Sequence, residues 1–125
     1  PELIHCSSAT RARETVELVC KTAGLDPQCV VYHEALYLAD SAEMLEVIHD
    51  TPEQYRCVML VGHNPGIDEL VEFLSDDTPP TNSSGKLMTT AAIALLECGR
   101  QEIAAHQCRL KALVRPKELD VPQGT

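Results

Sequence analysis

The chain of 125 residues is short of aromatic side chains and of positive charge. Aromatic residues make up 3% of the sequence and tryptophan is absent, so stacking platforms for bases or sugars are not expected. Ten basic residues stand against 19 acidic ones, which gives a formal net charge of −9. This excess of negative charge opposes attraction to nucleic acid or to anionic membranes. No apolar run approaches the ~20 residues of a membrane span. We therefore expect no nucleic-acid partner and no membrane association.

The six cysteines show no C-x-x-C pair and no cysteine–histidine pair with the spacing of zinc ligands. They are spread from Cys6 to Cys108, and several lie inside apolar runs such as residues 57–61. This distribution is typical of buried free thiols in a reducing compartment. We predict no disulfide framework, no metal and no other cofactor. The first residues do not have the pattern of a signal peptide, and we expect a cytoplasmic protein.

Short apolar segments alternate with amphipathic ones, which is the pattern of an α/β fold. We predict one domain over residues 1–125, with a mostly parallel sheet and helices on both faces. Ser8 and Ser41 are the expected N-caps of the first two helices, and Gly24 is the expected end of the first. Strands are predicted at 2–6, 30–32, 57–61, 93–97, 102–106 and 110–114, the last two as an antiparallel edge, and helices at 10–23, 41–48 and 66–74.

Two loops follow predicted strands and lead into predicted helices, at residues 7–11 and 62–66. Ligands of open α/β sheets bind outside the carboxyl ends of the strands, and helix N-termini stabilise anions. Arg11 offers a planar fork for phosphate oxygens, and His63 offers a ring N–H. Together they predict a phosphate pocket. The alternatives are a solvated charge for Arg11 and a loop-orienting hydrogen bond for His63.

Four segments in order along the chain resemble the small SixA-like phosphohistidine phosphatase branch of the histidine phosphatase superfamily, whose fold is phosphoglycerate mutase-like. Residues 7–15 (SSATRARET) are similar to its S-x-x-x-R-A-x-x-T segment, and residues 60–66 (LVGHNPG) to its V-G-H-x-P segment. Residues 88–94 and 113–119 also resemble this branch. The resemblance implies a hydrolase that transfers a phosphoryl group to an enzyme histidine and then hydrolyses it.

The resemblance also implies roles for individual residues. Arg11 and His63 would be catalytic and would bind the phosphoryl group, with Ser8 as a further phosphate ligand. Glu34 falls where other branches place an acid that protonates the leaving group, and a solvated carboxylate is its alternative reading. Thr90 either lines the pocket or packs within a strand. The implied substrate is a phosphohistidine-bearing protein or a small phosphomonoester.

The sequence departs from the family at the nucleophile. In the family this residue is a histidine in an R-H-G motif at the end of the first strand. The sequence contains no R-H-G, and we interpret His5 as a structural strand residue. We expect that the family's first strand and helix are missing, so that the domain is N-terminally incomplete. The strands at 2–6 and 57–61 would then have open edges, which a homodimer would cover. We predict that this chain alone is inactive. The alternatives are a non-catalytic phosphate- or phosphohistidine-binding module and an oligomerising structural protein.

Overall fold

The computed structural model describes residues 1–89, 91–99 and 103–116, in which three α-helices lie between the first four strands and a fifth strand follows directly, with short 3-10 turns at Pro27–Cys29 and Glu34–Leu36. The chain divides into two compact units, Pro1–Leu70 and Val71–Thr125, and one domain stays a prediction. No helix in the described residues is both long and apolar enough to cross a membrane. The elements are β1 (Leu3–Ser7), α1 (Thr10–Ala23), β2 (Val30–His33), α2 (Ser41–His49), β3 (Val58–Val61), α3 (Gly66–Leu74), β4 (Ile93–Cys98) and β5 (Cys108–Val114).

The first unit contains a parallel sheet in the order β2–β1–β3. Ser7 pairs in register with His33 of β2, and Cys6 pairs with Val61 of β3. The predicted parallel sheet is therefore confirmed for these three strands. The open edge expected for the strand at 2–6 is wrong, because β1 is the central strand and uses both of its edges. The strand at 57–61 pairs with β1, and no other strand of the described residues pairs with it.

The two faces of β1 have different surroundings. Ile4 and Cys6 are buried, and they form a cluster with residues on the inward face of α1: Ala12, Val16 and Cys20. The alternate residues of β1 point to the opposite face, where His5 hydrogen-bonds to Thr51 just after α2. Helices α1 and α2 are thus associated with opposite faces of this sheet.

The helices α1 and α2 begin where the sequence predicts, but their N-cap residues differ from the predicted ones. Gly24 ends α1 with φ of 70°, as predicted. The residue preceding α1 is Ala9, not Ser8, and it provides no side-chain cap. Asp40 replaces Ser41 as the N-cap of α2, because its carboxylate accepts from the Glu43 N–H in a capping box.

Gly66 begins α3 at a place where only glycine fits. A Cβ atom there would lie 2.2 Å from the carbonyl oxygen of Ala39 and 2.8 Å from Cε of Met44. The preceding Asn64–Pro65 peptide bond is cis. The close approach of Gly66 to the backbone of Ala39 fixes the position of the loop at 62–66.

The second unit contains an antiparallel hairpin of β4 and β5. The antiparallel edge predicted for the strands at 102–106 and 110–114 is therefore wrong in one strand, because the partner of β5 is β4. Cys98 and Cys108 are directly opposed in the β4–β5 register and form a disulfide. The prediction that all six cysteines are free thiols is therefore wrong for this pair. The strand predicted at 102–106 is also wrong over its described part, since residues 103–106 contain no strand and His106 has φ of 58°. Glu102, Thr90 and residues 117–119 lie outside the described residues.

The disulfide predicts the number of reactive thiols. Without reductant, the denatured protein should titrate four thiols, because Cys6, Cys20, Cys29 and Cys57 are free, and reductant should raise the number to six. Cys98→Ser should give five thiols without reductant and lower the free energy of unfolding by about 2–4 kcal/mol. Cys57→Ser, which removes an exposed free thiol, is the control and should give three. Six thiols in the oxidised, unreduced protein would contradict the disulfide.

Candidate functional site

Three polar residues lie at the carboxyl edge of the β2–β1–β3 sheet, and two of them are in side-chain contact. Ser7 and His33 are the last residues of neighbouring strands, and His63 follows β3 by two residues. The Nε2 atom of His63 lies 2.8 Å from Oγ of Ser7. The edge of the Tyr37 ring packs against the His63 ring, with centroids 5.7 Å apart. Parallel pairing thus places His63 at the end of β1, where the sequence analysis placed the pocket.

The N-terminus of α1 has unused hydrogen-bond donors beside this edge. Ala9 provides no side-chain cap, and the first turn of the helix has no acidic residue. Of the first backbone groups, the Ala9 N–H donates to Oγ of Ser7 and the Arg13 N–H donates to the carbonyl of Ala9. The N–H groups of Thr10, Arg11 and Ala12 have no acceptor in the described residues. Free N–H groups at a helix N-terminus form a site that favours an anion.

The N-terminus of α3 does not offer the same site, although the sequence analysis treated the two loops alike. The N–H of Asp68 donates to the side chain of Asn64, and the N–H groups of Ile67 and Glu69 donate to backbone carbonyls. Two acidic residues also occupy the first turn. The N–H groups of residues 67–69 are therefore satisfied within the protein, and the group of this loop that we consider for ligand binding is the ring of His63.

The two arginines of α1 have different surroundings. Arg13 is engaged, because its guanidinium lies 4.3 Å from the centroid of the Tyr32 ring and its Nε donates to the carbonyl of Ser8. Arg11 lies in the first turn, is exposed, and its guanidinium has no partner in the described residues. The structure thus leaves Arg11 available to a ligand.

The remaining predicted site residues lie near these elements. Ser8 is half-buried, its N–H donates to the carbonyl of His33, and its hydroxyl has no partner in the described residues. Glu34 is exposed and directly follows His33. Neither His33 nor Ser7, whose hydroxyl contacts His63, was predicted from sequence as a site residue. The alternation of side chains along a strand could have indicated Ser7, because Ser7 shares one face of β1 with His5 and is the last residue of the strand.

His5 occupies a continuous hydrogen-bond chain on the same face of β1. Thr51 donates its hydroxyl hydrogen to the carbonyl of Val47, so it accepts from Nε2 of His5 at 2.8 Å. Nδ1 of His5 then accepts from Nε2 of His33, also at 2.8 Å. Both ring nitrogens of His5 are therefore used, in agreement with its interpretation as a structural strand residue.

Cys6 is not a suitable nucleophile at this edge of the sheet. Cys6 precedes Ser7, but its side chain points to the α1 face and is buried there. Burial raises the pKa of Cys6 to about 11, so the thiol is protonated and a weak nucleophile at neutral pH. No group of three histidine, cysteine or carboxylate side chains within residues 1–89, 91–99 and 103–116 is arranged to hold a metal ion.

Solved structures that are similar to this chain in fold include the following two. One, from Nakamurella multipartitia, has a TM-score of 0.71 and 23% identity over 93% of this chain and 72% of its own. The other, from Agrobacterium tumefaciens, has a TM-score of 0.68 and 26% identity over 93% of this chain and 68% of its own. Both are provisionally named phosphohistidine phosphatase SixA. The chain has the SixA-like histidine phosphatase fold. No protein-family model and no curated protein matches the sequence.

The buried ring of His5 predicts how the stability of this SixA-like protein depends on pH. Burial, and to a smaller extent the charge of His33, lowers the pKa of His5 below its usual 6.5. Unfolded His5 takes up a proton that native His5 does not. The free energy of unfolding should therefore be greatest above pH 6.5 and should fall as the pH drops below it.

Urea unfolding from about pH 8 to about pH 5 measures this dependence. His5→Gln should flatten the decline below pH 6.5, whatever its effect on overall stability. His49→Gln, at the exposed end of α2, is the control and should keep the decline. Equal declines in the wild type and His5→Gln would show that His5 does not cause it.

Proposed function

We propose that the carboxyl edge of the β2–β1–β3 sheet binds a phosphoryl group in a phosphohistidine phosphatase-type hydrolase. The observation that carries the proposal is the start of α1, where three free N–H groups and the unpartnered guanidinium of Arg11 adjoin the strand that contacts His63. The SixA names of the two similar structures and the motif resemblance support the same activity.

The chemistry suited to these groups is electrostatic. Phosphoryl transfer needs little more than positioning and neutralisation of charge on the transferred oxygens. The guanidinium of Arg11, the backbone N–H groups of α1 and a ring N–H of His63 would supply both, with the hydroxyl of Ser8 as a further donor. In the proposed reaction an enzyme histidine forms a P–N bond as the bond to the leaving group breaks, and water then cleaves the phosphoenzyme.

The proposed substrate is phosphohistidine carried on a protein, with a small phosphomonoester as the alternative. Arg11, Glu34 and Tyr37 are exposed, which suits a phosphorylated side chain presented by another protein. The net charge of −9 would repel free anions at long range, and a protein substrate can dock through its own basic surface. Exposed Glu34 is the candidate acid for the leaving group.

The 125 residues contain no R-H-G segment, and we propose that they alone bind phosphate without turnover. A site with Arg11 and His63 but without a nucleophile is also the arrangement of a phosphohistidine-binding module. Binding and turnover must therefore be measured separately.

Calorimetric titration with inorganic phosphate tests binding. Arg11→Ala should weaken phosphate binding about 10-fold to 100-fold, since charge-assisted hydrogen bonds contribute about 1.5–3 kcal/mol. His63→Ala should weaken it as well. Arg13→Ala is the matched control, two residues further along the same helix, and should bind like the wild type because Arg13 is engaged with Tyr32. Equal losses in Arg11→Ala and Arg13→Ala would contradict the proposed site.

Release of phosphate from a phosphohistidine protein tests turnover. The wild-type chain of 125 residues should bind phosphate and give no steady release, because none of its described histidines stands in an R-H-G segment. Steady release that disappears in both Arg11→Ala and His63→Ala would show that the site is catalytic as it stands and would overturn the predicted inactivity. If the chain neither binds phosphate nor releases it from the phosphohistidine protein, the proposed function is refuted.

A further inference from the structure

Ser7 is the first residue of the S-x-x-x-R-A-x-x-T segment, and its contact with His63 was not predicted from sequence. Ser7 ends β1 and is fully buried, and its Oγ lies 2.8 Å from Nε2 of His63 across 56 residues of sequence. Because Ser7 is inaccessible, its hydroxyl cannot meet a substrate. The effect of the contact must therefore pass through the histidine ring.

The direction of this hydrogen bond follows from the other partners of Ser7. The N–H of Ala9 donates to Oγ at 3.2 Å, so Oγ already acts as an acceptor. Its single hydrogen still needs an acceptor, since leaving a buried hydroxyl hydrogen unsatisfied is destabilising. The acceptor that the described residues provide is Nε2 of His63. Ser7 therefore donates and Nε2 accepts.

We propose that Ser7 is a positioning residue that holds the proton of neutral His63 on Nδ1. A neutral imidazole has one protonated nitrogen and one acceptor nitrogen, and the hydrogen bond at one nitrogen selects the tautomer. The Tyr37 ring, at 73° to the His63 ring, contacts it from another side and limits its rotation.

The consequence for phosphate rests on the proposed function. Nδ1–H is then the ring donor left for a phosphoryl oxygen, and Ser7 makes it available before the ligand arrives. Sequence reasoning chose the neighbouring Ser8 as a ligand. In the structure the two serines have separate roles, because Ser7 faces His63 and Ser8 has a free hydroxyl.

Nitrogen NMR of the ¹⁵N-labelled, phosphate-free protein tests the tautomer directly. The wild type should show His63 protonated on Nδ1 at neutral pH. Ser7→Ala should move His63 towards the Nε2-protonated form, which is the one favoured by free imidazole side chains. Ser7→Thr keeps the hydroxyl and should keep the wild-type pattern, and Ser8→Ala is the matched control and should keep it too.

Two results would overturn the inference: Nε2 protonation of His63 in the wild type, or an unchanged tautomer in a folded Ser7→Ala protein. If Ser7→Ala does not fold, the wild-type spectrum decides. Phosphate titration is a second measurement, in which Ser7→Ala should bind about threefold to tenfold more weakly. If the wild type binds no phosphate, the proposed function fails and the phosphate-free tautomer still decides the role of Ser7.

Discussion

The position of β1 between two parallel partners is the constraint on which the candidate site depends. Backbone pairing aligns Ser7 with His33 and Cys6 with Val61, so the polypeptide leaves all three strands at the same edge. Helix α1 begins three residues after β1, and its first N–H groups emerge at that edge. Backbone pairing by itself thereby brings together residues that are far apart in sequence.

Because side chains alternate between the two faces of β1, its apolar residues lie on one face and its polar residues lie on the other. Ile4 and Cys6 are buried against α1, where apolar contact stabilises the unit. His5 and Ser7 are buried on the other face, where a polar group is costly unless it is hydrogen-bonded. Each has partners, His5 with Thr51 and His33, and Ser7 with His63. A hydrophobic residue at position 7 would leave both the Ala9 N–H and His63 without this hydrogen-bond partner.

Local sequence patterns predicted most helices and strands, because hydrophobic periodicity and a helix-ending glycine depend on only a few neighbouring residues. The bounds of α1 and α3 and the Gly24 end of α1 were predicted correctly. The antiparallel edge was predicted with the wrong partner for β5. The motif loops also placed Arg11 and His63 at the ends of neighbouring strands, which the β1–β3 pairing brings together. Their roles in binding remain predictions.

The errors concern features that only three-dimensional geometry decides. Ser8 and Ser41 were chosen as caps because serine favours that position, but the backbone begins the helices after Ala9 and Asp40. The Cys98–Cys108 disulfide requires the exact β4–β5 register, which cysteine spacing does not reveal. The same holds for the Ser7–His63 contact, since the strand ends meet only after the sheet forms.

The central claim is that the start of α1 and His63 form one phosphate site. Amide and histidine NMR spectra recorded during a titration with inorganic phosphate test it most directly, because they locate the ligand. We predict saturable shifts of the Thr10, Arg11 and Ala12 amides together with the His63 ring signals, all with one dissociation constant. Shifts confined to other parts of the protein, or no saturable shift at all, would contradict the account.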